Sequence, residues 1–166
     1  MKKVLALTLI AVLLAGCGAA SVKTGLGHNI SIAKSTDASA EAEGLAQVDT
    51  VMAAVTVDSS NKVLGVVIDT AQVKVNFDTT GKITTDKTTE LKTKVELGFD
   101  YGMKKAGSAR EWFEQIAEVE KWMVGKTVDK ITAIKDASED ADLKSKVSVS
   151  ISDYQAAVAE AVKNAK

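Results

Sequence analysis

The chain has a single cysteine, Cys17, and no proline among its 166 residues. One cysteine forms no internal disulfide, so the stability of the fold depends on its apolar core. The only histidine, His28, excludes a histidine-rich metal site. Aromatic residues make up 4% of the chain. We therefore expect a core of Val, Ala, Leu and Ile, with two tryptophans as its largest members.

The chain also lacks an excess of charge of one sign, because it has 21 Lys and Arg residues and 22 Asp and Glu residues. Nucleic acids and anionic lipid surfaces attract clustered Lys and Arg. The balance therefore gives no electrostatic reason to bind nucleic acid. The longest apolar run near the start, residues 4–14, is too short to cross about 30 Å of hydrocarbon, which argues against a transmembrane anchor.

The first 17 residues have the pattern of an export signal. Lys2 and Lys3 precede the apolar residues 4–14, and Leu-Ala-Gly-Cys at 14–17 ends the segment. This order is typical of a bacterial lipoprotein signal peptide. We expect cleavage before Cys17 and a diacylglyceryl cysteine, labelled by palmitate, whose two acyl chains hold the protein in the lipid bilayer. The expected location is the outer face of the cytoplasmic membrane.

Cleavage would leave 150 residues, a common size for one domain with its own core. We predict a signal peptide at 1–16, the lipidated cysteine and a tether at 17–43, and a single domain at 44–166. The tether is rich in Ala, Ser, Gly and Thr, and a short strand is predicted within it at 29–33.

Alternating apolar residues predict an antiparallel sheet, with strands mostly in residues 29–97 and one more near 147–151. Residues 63–68 are nearly all apolar, which is typical of a strand in the middle of a sheet. Polar and glycine residues at 58–62 and 78–81 predict turns. The sequence therefore predicts an α+β fold in which this sheet packs against two or three helices.

Helical periodicity dominates the second half of the chain. The motif Ser-x-x-Glu at 108–111 predicts the start of a long amphipathic helix, and Gly125 predicts its end. A second short helix is predicted from Thr127. The motif Ser-x-x-Gln at 152–155 predicts the start of a final helix.

Several segments are candidates for a functional site. The acidic residues 136–142 lack the central glycine of a calcium loop, so a solvated loop is favoured over a metal site. Trp112 and Trp122 share one helix face, which favours core packing over the stacking of a planar ligand. The segment that joins strand to helix mixes aromatic, glycine and cationic residues. The predicted ligand-binding residues are Asp100, Tyr101, Gly102, Lys104 and Trp112. No catalytic set is assembled, which favours a non-enzymatic function.

Two stretches of the chain, VIDTAQVKVNFD at 67–78 and TKVELGFDYGMKK at 93–105, resemble small surface lipoproteins of Gram-positive anaerobes. The likeness extends to EWFEQI at 111–116 and VGKTV at 124–128. These lipoproteins are similar to the FMN-binding domain of extracellular electron-transfer and respiratory proteins. The resemblance implies an extracellular, FMN-binding-like domain with flavin as its cofactor.

In that flavin family, a Ser/Thr-Gly-Ala-Thr segment precedes the final helix, and its last threonine carries FMN through a phosphoester bond. The corresponding place here, near 147–152, contains neither glycine nor threonine. Because glycine lets the backbone approach a phosphate, we expect a flavin or other small ligand to be held non-covalently. The alternative is a structural or interaction module that binds another envelope protein and no ligand.

Overall fold

The computed structural model describes residues 21–166, and the predicted signal peptide and Cys17 lie outside them. Its strands are β1 at Lys23–Ser31, β2 at Gly44–Val57 and β3 at Val63–Phe77. They form one antiparallel sheet with the order β1-β2-β3.

Four α-helices follow the sheet within the described residues, which confirms the α+β fold class. They are α1 at Lys94–Leu97, α2 at Trp112–Met123, α3 at Val128–Ile131 and α4 at Ser152–Asn164. Short 3-10 turns lie at Gly98–Tyr101 and Ala137–Glu139. Over residues 21–166, no helix combines the length and apolar character needed to cross a bilayer.

The turn between β2 and β3 follows from its polar residues. Asp58 donates its backbone N–H to the Lys62 carbonyl at 3.0 Å, and its carboxylate accepts from the backbone amides of Ser60 and Lys62. Asn61 has a φ of 58°, in the left-handed region that Asn tolerates. These contacts confirm the predicted turn at 58–62 and set the register of the two longest strands.

Helices cover one face of the sheet and leave the other open. Val51, Ala53 and Val55 of β2 are buried on the covered face, where α4 packs on β1 and β2 and α2 packs on β3. On the open face, Leu26 and Val67 are 68% and 66% exposed. Burying a side chain of Val or Leu size contributes about 1.5–3 kcal/mol, so the covered face supplies most of the stability.

The backbone of α4 lies directly against β1. An added Cβ would lie 1.9 Å from the Ala161 carbonyl oxygen at Gly25, and 2.2 Å from the Ala157 carbonyl oxygen at Gly27. Ala157 and Ala161 are themselves fully buried. Only glycine on the strand and alanine on the helix allow an approach this close.

The same helix closes the free edge of β1. The Glu160 carboxylate accepts the backbone N–H of His28 at 2.6 Å. The side-chain amide of Asn164 donates to the Leu26 carbonyl at 3.0 Å. Because an open strand edge invites pairing with another chain, these side chains protect β1 from edge-to-edge association.

The predicted tether is too long. The sequence placed only a short strand, at 29–33, inside residues 17–43, whereas β1 occupies Lys23–Ser31. The residues Gly25 and Gly27 made this stretch look flexible, yet they are the positions that α4 requires. Residues 23–31 therefore belong to the folded domain.

The predicted sheet region at 29–97 extends too far, because residues 94–97 form a helix. Thr93 and Glu96 form a capping box, in which the Thr93 hydroxyl accepts the Glu96 amide and the Glu96 carboxylate accepts the Thr93 amide. This reciprocal pair starts α1 at Lys94. The capping contacts outweigh the weak alternation of apolar residues, because satisfied amides stabilise a helix start.

The predicted strand near 147–151 is also wrong, since these residues form no strand. Val147 and Ile151 are buried, which accounts for the alternation. The backbone amides of Ser148 and Val149 donate to the side-chain oxygen of Gln115, at 2.7 and 3.2 Å, instead of to a neighbouring strand. A buried side chain of α2 thus replaces the sheet partner that the pattern suggested.

The predicted helix starts need small corrections. Helix α2 begins one turn later than the motif at 108–111 indicated, with Glu111 as its N-cap and Glu114 as the capping-box partner. Helix α4 does begin at Ser152, but without a side-chain cap. Gln155 donates instead to the carbonyls of Ile131 and Ile134, tying α4 to α3 and the turn after it.

The close contact between β1 and α4 gives a stability prediction. Gly27→Ala should lower the free energy of unfolding by about 1–3 kcal/mol or more, because its methyl group would overlap helix backbone that cannot move aside. Urea unfolding of the mature chain with Cys17→Ala would measure this. Gly65→Ala is the matched control, since its nearest neighbour is the Thr56 hydroxyl at 3.1 Å on the open face. Equal losses in both variants would contradict the packing argument.

Candidate functional site

Two carboxylates hold the loop that carries the predicted ligand residues. Glu111, only 2% exposed, accepts the backbone amides of Met103 and Lys104 at 2.8 and 3.1 Å. Glu114 forms an ion pair of 2.8 Å with the Lys104 ammonium group. The loop is therefore fixed on the first turn of α2. These contacts give a structural role to Lys104, one of the two charged residues that the sequence predicted as ligand contacts.

Two of the five predicted residues are brought together. The Lys94 ammonium group lies 4.8 Å from the centroid of the Tyr101 ring and 5.4 Å from that of Trp112, a cation–π arrangement. Trp112 is buried and donates its indole N–H to the Tyr154 hydroxyl at 2.8 Å. Its ring is a core element in this arrangement and presents no open face to a planar ligand.

The other three predicted residues lie apart from this pair. Asp100 is exposed at the surface. Gly102 has a φ of 81° and turns the chain out of the preceding 3-10 segment. Lys104 points to Glu114 and lies 5.7 Å from the Phe99 ring centroid. The structure therefore does not gather the five residues into one cavity.

A polar cluster lies on the covered face, around Asp49. Its carboxylate accepts from Lys34 at 2.8 Å and from the side-chain amides of Gln47 and Gln72, each at 2.9 Å. Burial raises the pKa of Asp49, but these hydrogen bonds outweigh burial and hold the pKa below its ordinary value. The hydrogen bond with Asp49 in turn raises the pKa of Lys34. Both groups are thus charged at neutral pH.

Two hydroxyl groups belong to the same region. Thr70 lies diagonally across from Asp49 in the strand register and is 2% exposed. Its hydroxyl has no hydrogen-bond partner within residues 21–166. Burial is the main cause that raises the pKa of Tyr154 to about 12, so its hydroxyl remains protonated at neutral pH. The Tyr154 hydroxyl accepts the Trp112 indole N–H, whereas the Thr70 hydroxyl is left without a partner.

A groove with a volume of about 330 Å³ lies between α2 and residues 142–146. We call it the lysine groove. It is lined by Glu118, Lys121, Trp122, Val124, Lys126, Asp142, Leu143 and Lys146. Apolar side chains and three ammonium groups therefore share one concave surface.

Ionic contacts fix the walls of the lysine groove. Lys146 pairs with Glu118 at 2.9 Å. The Lys126 ammonium group lies 4.6 Å from the Trp122 ring centroid and donates to the Trp122 carbonyl. Because Glu118 neutralises Lys146, the remaining charges of the lining are two cations, Lys121 and Lys126, and one anion, Asp142. The lining side chains alone carry one positive charge in excess, and the Asp140 carboxylate close to Lys126 offsets it.

The floor of the groove is held by a partly buried hydrogen bond. The Trp122 indole N–H donates to the Asp140 carboxylate at 2.8 Å. Burial raises the pKa of Asp140, yet the bonds from Trp122 and from backbone amides outweigh it and hold that pKa below its ordinary value. Among the acidic residues at 136–142, Asp140 thus positions Trp122. Nowhere in residues 21–166 do three or more His, Cys, Asp or Glu side chains form a potential metal site.

Sequence reasoning missed the lysine groove as a site. Its members come from α2, from the turn after it, and from a segment about twenty residues further along. The available signal was the pair of cations that flank Trp122 in sequence, Lys121 and Lys126. That signal is weak, since cations near the end of a helix also stabilise its dipole.

Two glutamates of α2 should affect the pH dependence of stability in opposite directions. Burial is the main cause that raises the pKa of Glu120, so its contribution is greatest below the ordinary value of 4.5 and is lost as pH rises through the folded pKa. The hydrogen bond from Lys146 is the main cause that lowers the pKa of Glu118, so its contribution is present above 4.5 and is lost on acidification.

Relative to the unsubstituted chain, Glu120→Gln should therefore gain stability between pH 4 and pH 7, while Glu118→Gln should lose it. The amide oxygen of the Gln can still accept the Ile68 N–H that Glu120 accepts at 2.6 Å. Urea unfolding at several pH values measures both variants. A change of the same sign in both would refute the assignment.

Known proteins give no guide to these sites. No family model, no curated protein and no solved structure matches the chain. The role of the groove and the polar cluster has to be inferred from side chains, distances and charges.

Proposed function

We propose that this protein is a lipid-anchored, extracytoplasmic and non-enzymatic domain that binds a small anionic ligand non-covalently in the lysine groove. The ligand that we propose is a flavin nucleotide, FMN. The observation that carries the proposal is the groove itself, where lysines surround a partly apolar floor next to Trp122. The export signal at 1–17 supports the location.

Anchoring at Cys17 would hold the domain close to the membrane. Strand β1 begins at Lys23, six residues after Cys17. An extended segment of that length spans at most about 20 Å. A tether this short favours a ligand or partner that is also located at the membrane surface.

The chemistry of the groove suits FMN. Its volume lies at the lower end of the range of about 300–1,000 Å³ that is usual for ligand pockets. Lys121 and Lys126 would attract the phosphate, and Val124, which is 46% exposed, offers apolar surface to the flavin ring. Non-covalent binding agrees with the absence of glycine and threonine at 147–152.

The anchoring can be tested separately from ligand binding. Expressed in a Gram-positive host, the chain should incorporate labelled palmitate and fractionate with the membranes. Cys17→Ala should abolish the label and release the protein from the membrane fraction, because no second cysteine can carry the lipid. Label retained in the variant, or an unlabelled chain in the cytosol, would refute the proposed anchor.

Ligand binding can be tested with the mature chain carrying Cys17→Ala. FMN fluorescence should fall on titration with protein, with the polypeptide mass unchanged. A combined Lys121→Glu and Lys126→Glu variant should weaken binding at least about tenfold, since each bond to a charged group contributes about 1.5–3 kcal/mol. Lys105→Glu and Lys163→Glu together form the control, because both lysines are exposed and outside the groove. No FMN binding, or equal losses in both variants, would refute the site.

A further inference from the structure

The open face of the sheet is an apolar surface that runs along the three strands. Residues whose side chains alternate away from the helices include Leu26 and Ile30 on β1, Met52 on β2, and Val67 and Val73 on β3. Leu26, Ile30 and Val67 are 68%, 55% and 66% exposed. An apolar patch of this extent on a protein surface is often a functional one.

The open face also carries one basic and one acidic residue in symmetric positions. His28 on β1 and Asp69 on β3 both pair with Met52 of the central strand, so the three form one row across the sheet. The basic group thus lies on one edge strand and the acidic group on the other, each one strand away from Met52.

Each of these two groups has an atom left for a further contact. Nδ1 of His28 lies 3.1 Å from the Glu160 carboxylate, and Oδ1 of Asp69 accepts the amides of Thr70 and Val95. The other two atoms, His28 Nε2 and Asp69 Oδ2, make no hydrogen bond to any residue in the range 21–166.

We propose that the open face binds the open face of a second copy of this chain. The two-fold axis would run parallel to the strands and pass beside Met52. Rotation by 180° about this axis places β1 of one copy over β3 of the other. It does not shift any residue along the strand direction. His28 of each copy then faces Asp69 of its partner, and Leu26 faces Val67.

The size of the open face is sufficient for such an interface. Three strands about 4.8 Å apart and about 35 Å long give a footprint of about 500 Å² for each copy. The two copies together bury about 1,000 Å² before the relief of the side chains is counted, which reaches the lower limit for a specific interface. Packed sheets lie about 10 Å apart, a gap that His and Asp side chains can bridge together.

The direction of the axis also agrees with membrane anchoring, and this step alone rests on the proposed function. Rotation about an axis parallel to the strands keeps both copies of β1 pointing the same way. Both Lys23 residues then lie at the same end of the dimer, so both tethers of about 20 Å can reach one membrane. An axis perpendicular to the strands would place them at opposite ends.

A second copy fits this surface better than a lipid bilayer does. Proteins that rest on membranes use Trp and Tyr at the interface together with Lys and Arg around it. The residues of β1, β2 and β3 that alternate toward the open face include none of these four types. Flat rows of Val, Ile, Ala and Thr are instead typical of one sheet packed on another.

Sedimentation equilibrium of the mature chain with Cys17→Ala tests the self-association. The described core lies entirely within this chain, and neither lipid nor FMN is present, so the result is independent of the proposed function. We expect twice the monomer mass at high protein concentration. Val67→Lys should reduce it to the monomer mass. At protein concentrations low enough for both chains to be monomeric, the urea midpoint should be unchanged, since Val67 is already 66% exposed in the isolated fold. Ala117→Lys, on the exposed side of α2, should remain dimeric.

Chemical cross-linking tests the direction of the axis. Leu26→Cys and Val67→Cys chains, distinguished by a mass tag, are mixed and treated with a bis-maleimide that spans about 10 Å, the distance between packed sheets. Cross-links between one Leu26→Cys chain and one Val67→Cys chain should exceed those between two copies of the same variant at least about fivefold. The reason is that face-to-face packing about this axis places residue 26 of one copy over residue 67 of the other.

Three results would overturn the proposal. One is a monomer mass at every concentration, and another is a dimer that Val67→Lys leaves intact. The third is a monomer that floats with neutral lipid vesicles in a Val67-dependent manner, which would assign the open face to the bilayer.

Discussion

The contact between α4 and the two glycines of β1 is the constraint on which the rest of the structure depends. Because Gly25 and Gly27 have no side chain, the helix backbone rests on the strand. At that distance Glu160 and Asn164 reach the edge of β1, and Tyr154 reaches the indole of Trp112. The position of α2, and with it one wall of the lysine groove, follows from where α4 is placed.

With a sheet of three strands, covering one face uses all of the amphipathic helices that the described part of this chain has. The covered face holds the tryptophans, and a chain without disulfides depends on that single layer. The open face meets only the start of the short helix α1, at Asp69, although its alternation is as apolar as that of a covered face at Leu26, Met52 and Val67. Alternating apolar residues in a strand indicate a surface that is buried against another surface. That second surface can belong to the same chain or to another one.

Those parts of the fold that depend on long periodic patterns could be predicted from sequence, such as β2, β3 and the stripe of α2. The errors arose where a local side-chain contact decides the backbone. The capping box of Thr93 and Glu96 turns residues 94–97 into helix, and Gln115 supplies the acceptor that a sheet would have given to Ser148. Gly25 and Gly27 resembled a flexible tether because the helix that needs them lies more than 120 residues away in sequence.

The candidate site was harder to predict, because charged residues in this chain mostly hold loops in place. Glu111 and Glu114 fix the loop at 102–111, and Asp140 fixes Trp122. The groove that remains lies on the helix side, whereas the open face lies on the opposite side of the sheet. Pairing of two open faces would therefore leave both grooves turned outward, with their lysines free to meet a ligand. Ligand binding and self-association use different surfaces, so neither excludes the other.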